Sequence, residues 1–272
     1  MAEALEPPFD RPDAGFNDLP GWTWVGTYGG HYLQCDLLAA FEHGFFTRQW
    51  QGRPPEELAA ALSAGVSVHR TRQVHGAAVL AASAADRDPW PEADGLRSDR
   101  GGQSLWVCGA DCTPVLIVDP ASGRVAACHA GWRGVAARIV PGAIEALVAD
   151  GASRERLLVA LGPAVAGFRY QVERLVTLQV AAAMAAEGSG PEPEDRALAD
   201  LEHCGALLTD PAPGRDRLDI RRAAALQLER QGIAPERIAL CPLCTVAEPT
   251  LFHSWRRDGV KAVQWSGVVS QG

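Results

Sequence analysis

Long apolar runs and positive charge are both scarce in this sequence of 272 residues. No run approaches the roughly 20 consecutive apolar residues needed to cross a bilayer, so we predict no membrane-spanning helix. The 25 Lys and Arg are outnumbered by 33 Asp and Glu. The resulting net charge of −8 argues against nucleic acid or an anionic membrane as the main partner, because both attract basic surfaces. A small anionic ligand, which needs only a local basic pocket, remains compatible.

Signal-peptide features are also missing from residues 1–18. The segment is rich in proline and acidic residues and lacks the basic and apolar regions of a secretory signal. We therefore expect a flexible N-terminal segment, a cytoplasmic location and no obligate protein partner.

The sequence also has few methionines and no closely paired histidines. The seven histidines include no pair spaced i, i+2, and the only methionines are Met1 and Met184. A multicopper oxidase uses many imidazoles, often in His-x-His pairs, and a blue-copper site prefers a weak axial methionine. The sequence therefore disfavours oxidase chemistry that depends on several coppers.

The seven cysteines are an odd number, which favours free thiols over a disulfide framework. Cys35, Cys108 and Cys204 stand alone among small or apolar residues and are expected to be small buried side chains. Cys241 and Cys244 have the spacing of a redox motif or zinc knuckle. A second metal site there would need His203 and Cys204, and we favour an incidental pair instead.

Three blocks flanked by glycine or proline carry the most informative residues. The blocks are Arg72-Gln73-Val74-His75-Gly76, Ala110-Asp111-Cys112-Thr113-Pro114 and Cys128-His129-Ala130-Gly131-Trp132-Arg133-Gly134. His75, Cys112 and His129 together offer two imidazoles and one thiolate, a donor set that suits Zn²⁺. Three protein ligands leave a fourth position open for water or substrate, as in a catalytic site.

Hydrophobic patterning predicts alternating strands and helices in a single α+β domain over residues 19–272. Apolar runs of strand length place His129 at the end of a strand, and 131–134 turns into a helix over 135–149. The predicted strands are 43–48, 66–75, 105–108, 115–119, 124–128, 157–161 and 238–240, and the other predicted helices are 55–64, 172–186 and 218–231. The segment near 188–200 is rich in Pro, Gly and acidic residues, which predicts a mobile surface excursion.

These blocks, taken in order, resemble the YfiH or laccase-domain family, also called multicopper polyphenol oxidases or peptidoglycan editing factors. The resemblance covers most of the chain. It rests on His43-Gly44-Phe45-Phe46-Thr47-Arg48, Gln73-Val74-His75-Gly76, Ala93-Asp94-Gly95, Asp111-Cys112-Thr113-Pro114-Val115, His129-Ala130-Gly131-Trp132-Arg133-Gly134, Leu161-Gly162-Pro163 and Phe252-His253-Ser254-Trp255-Arg256-Arg257-Asp258.

The resemblance implies a layered α/β sandwich with mixed sheets between helices, a fold shared with deamidating cytotoxic necrotizing toxins. It implies that His75, Cys112 and His129 bind zinc. It also implies phosphorolysis of adenosine, inosine, guanosine and S-methyl-5′-thioadenosine, together with adenosine deamination. The expected partners are then a nucleoside and phosphate. The oxidase name reflects copper-dependent phenol oxidation by some members, and Cu²⁺ could enter a zinc site by affinity order alone.

Further residues near the ligands are candidates for catalysis and binding. Zinc would lower the pKa of a water for attack at the purine C6, and Asp111 is a candidate proton shuttle. Arg48 and Arg133 could hold phosphate in bidentate fashion, and the backbone at Gly131 could approach an anion. Equally, the arginines could pair with carboxylates, and Asp111 could cap a turn or orient a ligand.

Two segments depart from the family pattern, Gln49–Arg53 and Val260–Gln264, and both are candidates to line the substrate pocket. Three other functions remain open. One is a zinc-free hydrolase with Cys112 as nucleophile and His129 as base. The second is a hydrolase that edits peptidoglycan precursors, and the third is a copper-dependent polyphenol oxidase.

Overall fold

The computed structural model of the chain describes residues 19–86, 88–184 and 193–272. Its strands are β1 Trp22–Thr27, β2 Gly30–Cys35, β3 His43–Phe46, β4 Ser67–His69, β5 Val79–Ala81, β6 Gly95–Arg97, β7 Gln103–Gly109, β8 Thr113–Val118, β9 Val125–Ala130, β10 Leu158–Leu161, β11 Gln171–Glu173, β12 Leu207–Thr209, β13 Arg215–Leu218, β14 Ile238–Leu240 and β15 Gln264–Val269. Its α-helices are α1 Pro55–Leu62, α2 Trp132–Ala136, α3 Ile139–Ala149, α4 Arg174–Met184, α5 Pro193–His203, α6 Ile220–Arg230 and α7 Trp255–Asp258.

These strands form two mixed six-stranded sheets and a small antiparallel sheet. The first sheet has the order β1-β2-β3-β15-β7-β4, in which only β4 and β7 pair in parallel. The second has the order β14-β10-β8-β9-β6-β5, with parallel pairs at its two edges. The third has the order β11-β13-β12.

The second sheet is buried on both faces, as the sequence of β8 indicates. Side chains alternate between the two faces of a strand, so a strand covered on both sides reads as a continuous apolar run. Val115 and Ile117 pack into the core beneath α3, α4 and α6, whereas Leu116 and Val118 pack into the core between the two large sheets. A third core lies on the outer face of the first sheet, where α1 covers it.

This order of layers confirms the predicted α+β sandwich with mixed sheets between helices. The predicted helices at 55–64, 172–186 and 218–231 correspond to α1, α4 and α6. The predicted helix at 135–149 is divided into α2 and α3, because Arg138 adopts a left-handed conformation with φ 62°. Within the described residues, no helix combines the length and apolar character needed to cross a membrane.

Two predictions of local structure were wrong. The strand predicted over 66–75 ends at His69, and the chain then enters a loop in which His75 has φ 62°. The segment near 188–200, predicted to be a mobile surface excursion, is helical from Pro193 onward. Ala197 and Leu201, one turn apart in α5, are buried against the main core, so the helix is stabilised by tertiary packing. The predicted N-terminal segment 1–18 and residues 188–192 lie outside the described residues.

His43 is fully buried at the start of β3 and is held in one tautomer. Its Nε2 accepts the N–H of Cys35 at 2.8 Å, so its Nδ1 donates to the carbonyl oxygen of Phe41, also at 2.8 Å. Burial lowers the pKa of His43, despite the hydrogen bonds that oppose the shift. The folded protein therefore contains a neutral imidazole here.

We expect His43 to make folding stability fall as the pH is lowered. The imidazole of the unfolded chain titrates near about pH 6.5, so below that pH the unfolded state binds a proton that the folded state excludes. This one group contributes a slope of up to about 1.4 kcal/mol per pH unit. When the free energy of unfolding is measured with denaturant between pH 8 and pH 5, it should fall less steeply with decreasing pH in His43→Gln than in the wild type. His203→Gln, which changes an exposed histidine, is the control, and an equal slope in His43→Gln and wild type would contradict the prediction.

Candidate metal centre

The second sheet brings Cys112 and His129 together at one end. Strands β8 and β9 are antiparallel, with Thr113 opposite Ala130 and Pro114 opposite His129. Cys112 immediately precedes β8, so it lies beside the last residues of β9. Residues at the ends of packed strands are held firmly while their side chains reach a cleft.

His75 completes a cluster with Cys112 and His129. One donor atom from each residue lies within 4.8 Å of the other two, and within the described residues no other group of His, Cys, Asp or Glu meets this condition. The rings of His75 and His129 are 4.9 Å apart and nearly perpendicular. His129 is buried, Cys112 is half-buried and His75 is exposed. The structure therefore assembles all three ligands predicted from the sequence.

The electrostatics of the cluster favour a thiolate. Burial opposes ionisation of Cys112, but hydrogen bonds from His129 and His75 and the charges on their rings outweigh it and lower its pKa to about 6. Burial likewise disfavours a charged His129, yet Asp94 and Cys112 raise its pKa to about 9. Without a metal, these opposite shifts favour an imidazolium beside a thiolate. A metal ion would replace the proton on His129, since metal binding and protonation compete for the same nitrogen.

Asp94 organises two of the three ligands. Its carboxylate, fully buried, accepts the backbone N–H groups of Val74, His75 and Gly76 at 2.8–3.0 Å and also contacts Nδ1 of His129 at 2.9 Å. Burial opposes ionisation of Asp94, but these hydrogen bonds hold its pKa below the ordinary value. With Nδ1 held by Asp94, the other ring nitrogen of His129 is left for a metal, an arrangement common among metal-binding histidines.

Asp94 stands in one of the blocks that carry the family resemblance, but no catalytic or ligand role was predicted for it. Its signal in the sequence was an Asp-Gly pair, which is typical of a turn. In the structure Gly95 instead begins β6, where a Cβ atom would lie 2.8 Å from a methyl carbon of Val79. Glycine thus lets β6 pack closely and places Asp94 beneath the His75 loop.

Gly131 is required by the cluster itself. A Cβ atom on this residue would lie 2.8 Å from Sγ of Cys112 and 3.4 Å from Cδ2 of His75. Its predicted role was to offer a backbone N–H to an anion at a helix start. The helix that follows, α2, has only five residues, so its dipole is small. Gly131 therefore makes room for Cys112 and His75 of the cluster.

The cluster forms part of the wall of a cavity of about 510 Å³. Trp255 of α7 and the segment Val260–Val263 form another part of the wall. The segment Val260–Gln264 was predicted to line the pocket, and four of its five residues do. The full lining consists of Gln73, His75, Cys108, Gly109, Ala110, Cys112, His129, Trp255, Val260, Lys261, Ala262 and Val263.

Two other predicted site residues and one predicted lining segment lie elsewhere. Arg48 is not among the residues that line the cavity, and its Nη1 donates to the carbonyl oxygen of Pro249 at 2.5 Å. Arg133 lines a different cavity, with its guanidinium 4.4 Å from the ring centre of Trp132. Gln49–Arg53, the other segment that departs from the family pattern, is also not among the residues that line the cavity.

Asp111 has a positive φ of 102° and a carboxylate that is already hydrogen-bonded. Its Oδ1 accepts the hydroxyl of Thr245 at 2.6 Å, and its Oδ2 accepts the backbone N–H of Arg256 at 2.6 Å. Both oxygens bind structural partners, which does not suit a proton shuttle. The contacts instead tie the residue before Cys112 to the residue after Trp255.

Of the three cysteines predicted to be buried, Cys35 is buried, whereas Cys108 and Cys204 are half-buried. Cys128, next to His129, is fully buried, and burial raises its pKa to about 12. Cys241 is buried with its pKa also raised to about 12, and Sγ of Cys244 accepts the N–H of Ala166 at 3.3 Å. Within the described residues, Cys241 and Cys244 do not belong to a cluster of three potential metal ligands.

Comparison with known proteins places the chain in a family. Residues 54–270 match the family model described as multi-copper polyphenol oxidoreductase laccase, and the chain belongs to that family. A protein of Synechocystis sp. named purine nucleoside phosphorylase is 43% identical over 260 residues, which are 92% of this chain and 97% of that protein. A Streptomyces coelicolor protein with the same name is 37% identical, over 73% of this chain and 74% of that protein.

Two solved structures have the same fold. They are a Bacillus licheniformis protein titled hypothetical protein YfiH and YlmD from Geobacillus stearothermophilus. Each is 24% identical with a TM-score of 0.75. The matches cover 91% of this chain and 99% and 98% of those chains, respectively. The resemblance inferred from the motifs is thereby confirmed.

Proposed function

We propose that this protein is a zinc-dependent purine nucleoside phosphorylase. Its substrates would be adenosine, inosine, guanosine and S-methyl-5′-thioadenosine, and adenosine deamination would be a second activity. The observation that carries the proposal is the cluster of His75, Cys112 and His129 in the wall of a cavity wide enough for a nucleoside. The 43% identical relative named purine nucleoside phosphorylase supports the same activity.

The donor set fits zinc better than a blue-copper centre. Two imidazoles and a thiolate would supply three ligands to zinc and would leave a fourth position for water or substrate, as in catalytic zinc sites. A blue-copper site would favour an axial methionine, whereas Met184 is buried in the helical core. When bound, zinc would act as a Lewis acid and would supply an activated water for deamination. His75, Cys112 and His129 would hold it, and Asp94 would orient His129.

The outer wall of the cavity suits a flat, uncharged base. Trp255 is 54% exposed and lines the cavity, so its indole can stack on a purine. Val260 and Val263 beside it would exclude water from the bond that breaks. Asp111 fixes the distance between this wall and Cys112, because it accepts the N–H of Arg256. We therefore treat Asp111 as a positioning residue.

Product analysis with inosine and adenosine tests the proposal. Zinc-loaded protein should release hypoxanthine and ribose 1-phosphate from inosine only when phosphate is present. Adenosine should give adenine with phosphate and inosine without it. Chromatography of the products, with and without phosphate, measures both reactions. Inert nucleosides with zinc still bound would reject the proposal and favour editing of a peptidoglycan precursor.

A second candidate function rests on a different aspect of the same residues. Cys112, His129 and Asp94 form the hydrogen-bonded chain of a cysteine hydrolase: a thiolate, an imidazolium and an orienting carboxylate. This function needs no metal. It predicts protein purified without bound zinc whose Cys112 is alkylated rapidly by iodoacetamide. Stoichiometric zinc that protects Cys112 from alkylation would exclude it.

A further inference from the structure

The cavity beside the cluster contains the only lysine of the chain. The sequence has 24 arginines and one lysine, Lys261, and Lys261 lines the cavity. It occupies the middle of a tight turn in which the N–H of Ala262 donates to the carbonyl oxygen of Val260 at 2.9 Å. The turn lies between α7 and β15, so both of its ends are attached to regular structure.

The charge of this lining is unlike that of the rest of the protein. The chain carries 33 acidic residues and a net charge of −8. Nevertheless, the described residues that line the cavity include no Asp or Glu. Lys261 is the one among them with a fixed positive charge. A cavity whose wall has no carboxylate but includes a lysine and a candidate metal cluster favours an anionic ligand.

Arg256 and Arg257, which follow Trp255 of the cavity wall, already make other contacts. Arg256 donates to the carbonyl oxygen of Gln171 at 2.9 Å and lies over the ring of Tyr170. Arg257 pairs with Asp258 and donates to backbone carbonyl groups. In contrast, within the described part of the chain no hydrogen bond or ion pair holds the Lys261 ammonium group, which is free to bind a ligand.

We propose that Lys261 binds the phosphate co-substrate in this cavity. The proposal rests on the proposed function and replaces the clamp of Arg48 and Arg133 expected from the sequence. A phosphate oxygen would form a bond to C1′ of the ribose as the bond from C1′ to the base nitrogen breaks. The bonding pair leaves with the base, which takes up the proton of the hydrogen phosphate ion. Lys261 keeps its own proton and holds the anion beside C1′.

Phosphate binding can be measured without catalysis because the lysine is unique. Reductive methylation with ¹³C-formaldehyde labels only Lys261 and the α-amino group, and methylation preserves the charge. In zinc-loaded, full-length protein, titration with inorganic phosphate should shift the dimethyl-lysine NMR signal saturably. Absence of the signal from Lys261→Met assigns it. A signal that stays unmoved at phosphate concentrations that saturate catalysis would overturn the proposal.

Kinetics provide the second readout. Lys261→Met should raise the KM for phosphate about 10- to 100-fold, with a small change in the KM for inosine, since a charged contact to phosphate is lost. Lys261→Arg should restore most of the phosphate affinity, because it returns the positive charge. An unchanged phosphate KM in Lys261→Met, with a raised KM in Arg48→Met or Arg133→Met, would overturn the proposal in favour of the arginine clamp.

The two measurements also separate this proposal from the proposed function. A saturable NMR shift in a protein that does not cleave nucleosides would keep the phosphate site and reject the phosphorylase activity. The wild type could instead catalyse phosphorolysis but show no NMR shift with phosphate, while Lys261→Met has an unchanged KM for phosphate. That result would support the phosphorylase activity and reject the role of Lys261.

Discussion

Cys112→Ala should bind less than stoichiometric zinc. Its kcat/KM for inosine phosphorolysis should fall by at least about 10³-fold. The thiolate is the only anionic ligand of the cluster, and its pKa of about 6 makes it available for a metal at neutral pH. Without it, two imidazoles remain, and His75 is exposed. Elemental analysis of purified protein and chromatography of the products measure the two losses.

Cys108→Ala is the matched control for the loss of zinc. Cys108 lines the same cavity, but burial raises its pKa to about 12 and it is not part of the cluster. This variant should keep stoichiometric zinc. If Cys112→Ala also kept its zinc and yet lost all activity, Cys112 would act in catalysis without holding the metal. Equal loss of zinc from both variants would reject Cys112 as a specific ligand.

The three residues of the candidate metal cluster could be selected from the sequence because each stands in a block with local features. The apolar runs of β8 and β9 locate Cys112 and His129 at strand ends, and burial on both faces explains why those runs have no polar interruptions. His75 was identified by its block, although the strand predicted around it ends at His69. Residue type and motif order were therefore sufficient to select the three residues of the cluster.

Contacts between distant segments could not be predicted in this way. Strands β5, β6, β11 and β12 have three residues each, too few to show a period of two. Their conformation comes from pairing with neighbours far along the chain. The same holds for Lys261, whose place in the cavity depends on how α7 packs against the loop before β8. Arg133 follows His129 by only four residues, yet it lines a different cavity. Closeness in sequence therefore did not predict closeness in the site.

Helix α5 was missed for a different reason. The composition of residues 188–200 suggested a loop, and it outweighed two helix signals. Pro193 is favourable in the first turn of a helix, and acidic residues follow it. Ala197 and Leu201 are spaced one turn apart and are buried. The apolar side of this helix is narrow, so periodicity alone gave a weak signal.

The role of Asp94 leads to the second large prediction: Asp94→Asn should weaken zinc binding about 10- to 100-fold, the usual cost of losing a partner of a metal ligand. The buried carboxylate accepts three N–H groups around His75 and orients His129. An amide of the same shape has one oxygen and one NH₂ group, so it must place a donor against at least one of these donors. Competition with a chelator of known affinity measures the zinc dissociation constant.

Asp119→Asn distinguishes this role from simple loss of stability. Asp119 is also fully buried, and it accepts the N–H of Ala121 at 3.1 Å and the hydroxyl of Ser122 at 2.9 Å in the turn after β8. Both variants should reduce the free energy of unfolding, by about 1–3 kcal/mol, because each disturbs a buried acceptor. Only Asp94→Asn should lower zinc affinity. If the two variants bound zinc equally well, Asp94 would stabilise the His75 loop without tuning the metal site, and His129 would be oriented by its position in β9 alone.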